Sequence, residues 1–107
     1  VVDIQRDRQQ LYYQTVNDQT CNSYQLEVEY FAPGSHRVAV AIQGLKQAQL
    51  SGPATLLVPE NGVATQQYQV CVDTAALSRG AYRSDIEFVI AADDEKVVRG
   101  TTFIVGR

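Results

Sequence analysis

Chemistry in this chain would have to begin with Cys21 and Cys71, its two cysteines. Cys21 falls on the polar phase of an alternating run, with Ser23, Gln25 and Glu27. Cys71 falls on the polar phase of a second run, with Gln67 and Gln69. If the two runs are antiparallel neighbours, the start of one meets the end of the other. Both sulfurs then share one outer face and could stand directly opposite. Two readings stay open: a disulfide, since exposed thiols pair in oxidising compartments, or two free, partly covered thiols. A metal site is disfavoured, because two cysteines without further Cys or a nearby His do not make four ligands.

Other reactive types are sparse. Arg6 and Arg8 flank Asp7, and local ion pairs that fix a first strand are the plain reading of that triplet. Asp93-Asp94-Glu95 clusters carboxylates that suit a hard cation. It lacks the spacing and glycine of a calcium loop, and it reads as a solvated turn. His36 is the one histidine; it has no ligand-type neighbour in sequence and reads as a surface or edge residue. There is no Gly-x-Ser-x-Gly elbow, no phosphate-cradling glycine loop and no second histidine, so the chain reads as non-enzymatic.

Composition narrows the class. The chain has 107 residues, 45% of them hydrophobic and 20% charged, which suits a single folded domain, 1–107. Net charge is −3, and lysine occurs only at Lys46 and Lys96. Nucleic acid is therefore a poor partner, for want of a basic stripe. No apolar run is long enough to cross a bilayer. The chain opens on strand-like sequence at Val1 without a signal peptide, and we read it as part of a larger product.

The elements that must position these residues are strands. Tyr24, Leu26, Val28 and Tyr30 alternate with Gln25, Glu27 and Glu29, giving the stretch Tyr24–Phe31 one dry and one wet face. Its strand is expected over 22–31. Tyr68, Val70 and Val72 alternate likewise within Ala64–Asp73. Further strands are expected at Val1–Arg6, around Leu11-Tyr12-Tyr13, through Val38, Val40 and Ile42, at Gln47–Leu50, Thr55–Val58, Ser84–Ala92 and Lys96–Val105. Turns are read at Asn17-Asp18-Gln19, Pro33-Gly34 and Asp93-Asp94-Glu95. Asn61-Gly62 signals a hairpin, Thr74–Ser78 one helical turn, and Gly100 a bulge. Seven to eight short antiparallel strands with no helix of useful length predict an all-β, immunoglobulin-like sandwich. Tyr82, behind Leu77 and Gly80, is either a tyrosine corner or an ordinary half-buried tyrosine.

One resemblance runs along nearly the whole chain. Asp3-Ile4-Gln5-Arg6-Asp7-Arg8 with Leu11-Tyr12 is similar to the opening of the C-terminal domain of the FixG family, also called RdxA or CcoG. Tyr24-Gln25-Leu26, Gly44-Leu45, Val58-Pro59, Ile86-Glu87-Phe88 and Thr102-Phe103-Ile104 match in order and spacing. The resemblance implies a bacterial inner-membrane parent with two four-iron iron–sulfur clusters. Its immunoglobulin-like domain would lie on the periplasmic side, and the parent would serve assembly of a cbb-type cytochrome oxidase through copper handling. No iron–sulfur cluster is expected in this domain, which lacks a Cys-x-x-Cys-x-x-Cys run. With no methionine and one histidine, soft copper ligands are scarce too.

The family places this segment just after its last membrane helix, which gives Arg6 and Arg8 a second reading as a membrane-proximal anchor to lipid phosphates or to the membrane part. The expected function is a non-catalytic interaction domain, with Lys96–Val105 as a binding edge. Its protein partner would be its own membrane portion, a second copy or an oxidase-assembly factor. The alternative is a periplasmic metal-handling or thiol-redox module using Cys21 and Cys71. A carbohydrate-binding sandwich is a third option, with Tyr12 and Tyr13 its stacking surfaces and no tryptophan to help them.

Overall fold

Among the described residues of the computed structural model, nine strands follow one another: β1 (Val2–Arg6), β2 (Tyr13–Gln14), β3 (Gln19–Glu29), β4 (His36–Gln43), β5 (Gln49–Ser51), β6 (Thr55–Val58), β7 (Val63–Asp73), β8 (Arg83–Ala91) and β9 (Lys96–Ile104). The structure describes residues 2–29, 33–78, 82–93 and 95–106. Tyr30 and Phe31 of the expected strand, Gly80 and Asp94 lie outside them. One sheet runs β1-β3-β7-β5, with β2 also paired to β3; the other runs β6-β4-β8-β9. All pairings are antiparallel. The fold is the expected immunoglobulin-like sandwich.

Alternation puts the core where period-two reasoning says it should be. Tyr24, Leu26 and Val28 of β3 and Tyr68, Val70 and Val72 of β7 face Val38 and Val40 of β4 and Ile86, Phe88 and Ile90 of β8. The rings of Tyr24 and Tyr68 meet Phe88 edge-on, at centroid distances of 5.3 and 6.3 Å. That geometry suits aromatic quadrupoles. Each tyrosine carries its hydroxyl out of the apolar layer to a carbonyl. Tyr24 donates to Thr102 O and Tyr68 to Pro53 O, both at 2.7 Å. Gly52 is what lets the Tyr68 ring lie flat over the β5–β6 link. Its φ is 142°, and a Cβ there would come within 2.5 Å of the ring.

Five local expectations change. β3 begins at Gln19, not at 22, because the inward positions Thr20 and Asn22 are polar and hide the alternation. Both are fully buried and paired: Thr20 with the Thr74 hydroxyl, Asn22 with the backbone of Ile104. Asn61-Gly62 is not a hairpin turn. It joins β6 of one sheet to β7 of the other. A hairpin of the type this pair favours needs positive φ at both residues; only Asn61 has it, at 52°. The turn instead closes from Gly62 N–H to Pro59 O at 3.1 Å.

Gly100 forms no bulge, since β8 and β9 pair in unbroken register with Gly100 opposite Glu87. Tyr82 is neither a tyrosine corner nor half-buried; its side chain is 58% exposed. What it contributes is its carbonyl, which accepts from Val105 N–H at 2.9 Å. The helical turn is shorter than expected, a 3₁₀ turn over Thr74–Ala76.

Candidate functional site

Cys21 and Cys71 face each other in the β3–β7 register and are joined by a disulfide, with their Cα atoms 4.2 Å apart. They lie on the outer phase of the sheet, but Cys21 is fully buried there. The cover comes from β2, which takes over as partner of β3 beyond the end of β1 and sets Tyr13 beside Cys21. The Tyr13 hydroxyl reaches across β3 to Gln69 Oε1 at 2.8 Å, and Ser23 donates to the same oxygen at 2.7 Å. Cys71 stays half-buried, beside Gln49 of β5. On loop-closure grounds a cross-link spanning this much chain stabilises by about 2–4 kcal/mol. The sequence showed the phase and the facing pair; it did not show that β2 would roof it.

Arg6 is the last residue of β1 and pairs with Tyr24. Its guanidinium touches Asp7 O at 3.4 Å. Burial raises the pKa of the Tyr24 phenol, and the positive charge of Arg6 pulls it back in part. Burial raises that of Tyr68 too. Asp7 uses its carboxylate on Gln9 N–H, at 2.9 Å, and Arg8 is exposed. The turn from Arg6 to Gln9 overhangs a cleft of about 410 Å³, floored by Ser23, Gln25 and Gln67.

The remaining candidates are scattered. Glu95 closes the β8–β9 hairpin through its carbonyl, which accepts from Ala92 N–H at 2.8 Å. A ring nitrogen of His36 lies 3.1 Å from Pro33 O. The Tyr12 ring lies against Gly106, where a Cβ would come within 2.3 Å of it. The Tyr13 hydroxyl is engaged by Gln69, and both tyrosines are half-buried. Among the described residues no group of three or more His, Cys, Asp and Glu could hold a metal ion.

Sequence reasoning missed Asn22. Its side-chain amide donates to Ile104 O at 3.0 Å and its carbonyl accepts from Ile104 N–H at 2.8 Å. This clamps β9 of one sheet to β3 of the other. The available signal was a polar residue standing on the dry phase of β3, one of the two longest strands.

Comparison with known proteins agrees with the architecture. No curated protein matches the chain. A crystal structure of a FixG-related protein from Vibrio parahaemolyticus superposes with a TM-score of 0.83 at 19% identity, covering 97% of this chain and 94% of that one. A protein from Archaeoglobus fulgidus superposes with a TM-score of 0.50 at 11% identity, with the same coverage. At these identities the likeness speaks for the fold alone. The sequence match is what decides the family. Residues 1–106 match the family described as "IG-like fold at C-terminal of FixG", and the chain belongs to that family.

Proposed function

We propose that this chain is a non-catalytic docking domain of a FixG-like membrane iron–sulfur protein, working on the periplasmic side of the bacterial inner membrane in cytochrome oxidase assembly and copper handling. The family match supplies the parent. The Cys21–Cys71 disulfide fits an oxidising compartment.

The observation that carries the docking role is the edge position of β9, which among the described residues has β8 as its one ladder partner. Its first half, from Lys96 to Gly100, is exposed apart from Val97. Such an edge accepts an extended partner segment through main-chain hydrogen bonds. A second copy using the same edge would bring Lys96 and Arg99 of both chains together, which like-charge repulsion opposes. The favoured partner is therefore the parent's own membrane portion or an oxidase-assembly factor.

One observation favours the second reading, a thiol-redox or metal-handling module: the disulfide is reachable from the half-buried Cys71 side. A single experiment on the full-length parent separates the two. Deleting this domain is expected to lower assembled oxidase, while Cys21→Ala with Cys71→Ala leaves it near normal as long as the domain folds. Unchanged oxidase on deletion overturns the docking reading. Loss of oxidase with a folded double variant favours the thiol reading.

A further inference from the structure

The cleft beneath the turn that follows β1 stands apart from both the disulfide and the free edge of β9. Arg6 and Arg8 are among the residues that line it, with Asp7 between them. Neither has a carboxylate within ion-pair distance among the described residues: Arg6 reaches only a backbone carbonyl, and the Asp7 carboxylate is turned to Gln9 N–H. Arginine is the side chain best shaped to grip a tetrahedral or planar oxyanion, through its fork of donors.

The floor adds neutral donors. Gln5, Gln25 and Gln67 stand in one row across β1, β3 and β7. The amides of Gln25 and Gln67 make no side-chain hydrogen bond to the described protein, whereas the Ser23 hydroxyl is committed to Gln69. At about 410 Å³ the cleft is large enough for a phosphate group with part of what it is attached to. In a chain of net charge −3, two arginines against the one carboxylate of the lining, that of Asp7, which accepts from Gln9 N–H, leave the cleft locally positive and complementary to an anion.

We propose that this cleft binds a phosphate-bearing group, with Arg6 and Arg8 gripping the oxyanion and the amides of Gln25 and Gln67 donating from below. The shared chemistry is the phosphate oxyanion, whose source is either a free phosphate compound or an anionic lipid headgroup. The site does not rest on the docking reading, since it uses neither β9 nor a protein partner.

The test is a titration of the 107-residue chain with inorganic phosphate at constant ionic strength, followed by amide and arginine side-chain NMR. Vesicles of phosphatidylglycerol and of phosphatidylcholine are run in parallel by sedimentation. Saturable shifts centred on Arg6, Arg8 and Gln25, weakened roughly tenfold in Arg8→Gln, support a site for free phosphate compounds. Binding to phosphatidylglycerol alone, lost in Arg8→Gln, supports the lipid source. Arg8 is exposed, so this variant keeps the fold; Arg6→Gln is the second arm. Shifts that chloride reproduces, vesicle binding that survives both substitutions, or no binding in either assay overturns the proposal.

Discussion

The two halves of β9 follow one sequence pattern and meet different fates. Strand alternation turns the N–H and C=O of every second residue away from β8. In the half nearer the C-terminus those groups belong to Thr102 and Ile104. The Tyr24 hydroxyl takes the Thr102 carbonyl and the Asn22 amide takes both groups of Ile104. In the other half the same alternation turns out the groups of Lys96, Val98 and Gly100. There, among the described residues, the side-chain hydrogen bond to those groups is Arg99 reaching Val98 O at 3.1 Å. One half is closed by side chains borrowed from the opposite sheet. The other carries the exposed charges of Lys96 and Arg99, a common way of discouraging unwanted strand pairing. An edge can thus be sealed without adding a strand, wherever a long polar side chain on the dry face of the facing sheet can reach it.

The largest effect should come from breaking the sealed half at Asn22. Asn22→Leu keeps much of the volume and strands a buried N–H and a buried C=O. Each such orphan costs about 1–3 kcal/mol, so a loss of about 3–5 kcal/mol is expected in urea unfolding. That is a large share of the ~5–15 kcal/mol available to a domain. A loss under about 1 kcal/mol would mean that Ile104 finds other partners and that the two halves differ less than the hydrogen bonds suggest.

Tyr24 sharpens the comparison at a smaller scale. Tyr24→Phe keeps the ring against Phe88 and removes the donor to Thr102 O, at an expected cost of about 1–2 kcal/mol near neutral pH. The pH dependence has a definite sign. Burial raises the Tyr24 pKa in the folded state, so above the unfolded phenol's value of about 10 the folded chain holds a proton that the unfolded chain has lost. The contribution is complete below that pH and fades as pH rises further. Tyr68 shifts the same way and stays in the variant. The stability gap between wild type and Tyr24→Phe should therefore narrow between about pH 9 and about pH 11. A gap that stayed constant over this range would show that the phenol ionises as freely in the fold as in the unfolded chain.

How much of this could be read beforehand follows from what period-two alternation reports. It finds strands whose dry face is apolar, and so it placed β6 to the residue and the inward faces of β7 and β8. It cannot find inward polar residues, so it began β3 too late and passed over Thr20 and Asn22, whose meaning lies in partners far away in sequence. It cannot assign a strand to a sheet either. Asn61-Gly62 has the composition of a hairpin turn, yet it serves a crossing between sheets, because β6 pairs with β4 and β7 with β3. At the candidate sites, the shared phase of Cys21 and Cys71 was legible from their neighbours, while the Tyr13 roof was not. Arg6 and Arg8 were legible as residue types; the cleft beside them depends on where β1 leaves β3, which no local pattern encodes.

The smallest expected effect tests the open half directly. Gly100 has no positive φ, and nothing lies within 4 Å of where its Cβ would be. Glycine in a strand interior costs roughly 0.5–1 kcal/mol in backbone entropy. Gly100→Thr should therefore raise stability by about 0.5 kcal/mol in urea unfolding, adding a residue that favours strands. If the outward groups of this half are free, the Gly100 amide should also exchange with solvent much faster than the Ile104 amide in the wild type. Equal protection of the two amides, or a loss of stability in Gly100→Thr, would mean that the first half of β9 is covered in solution as well. The contrast between the halves would then lie in which groups do the covering.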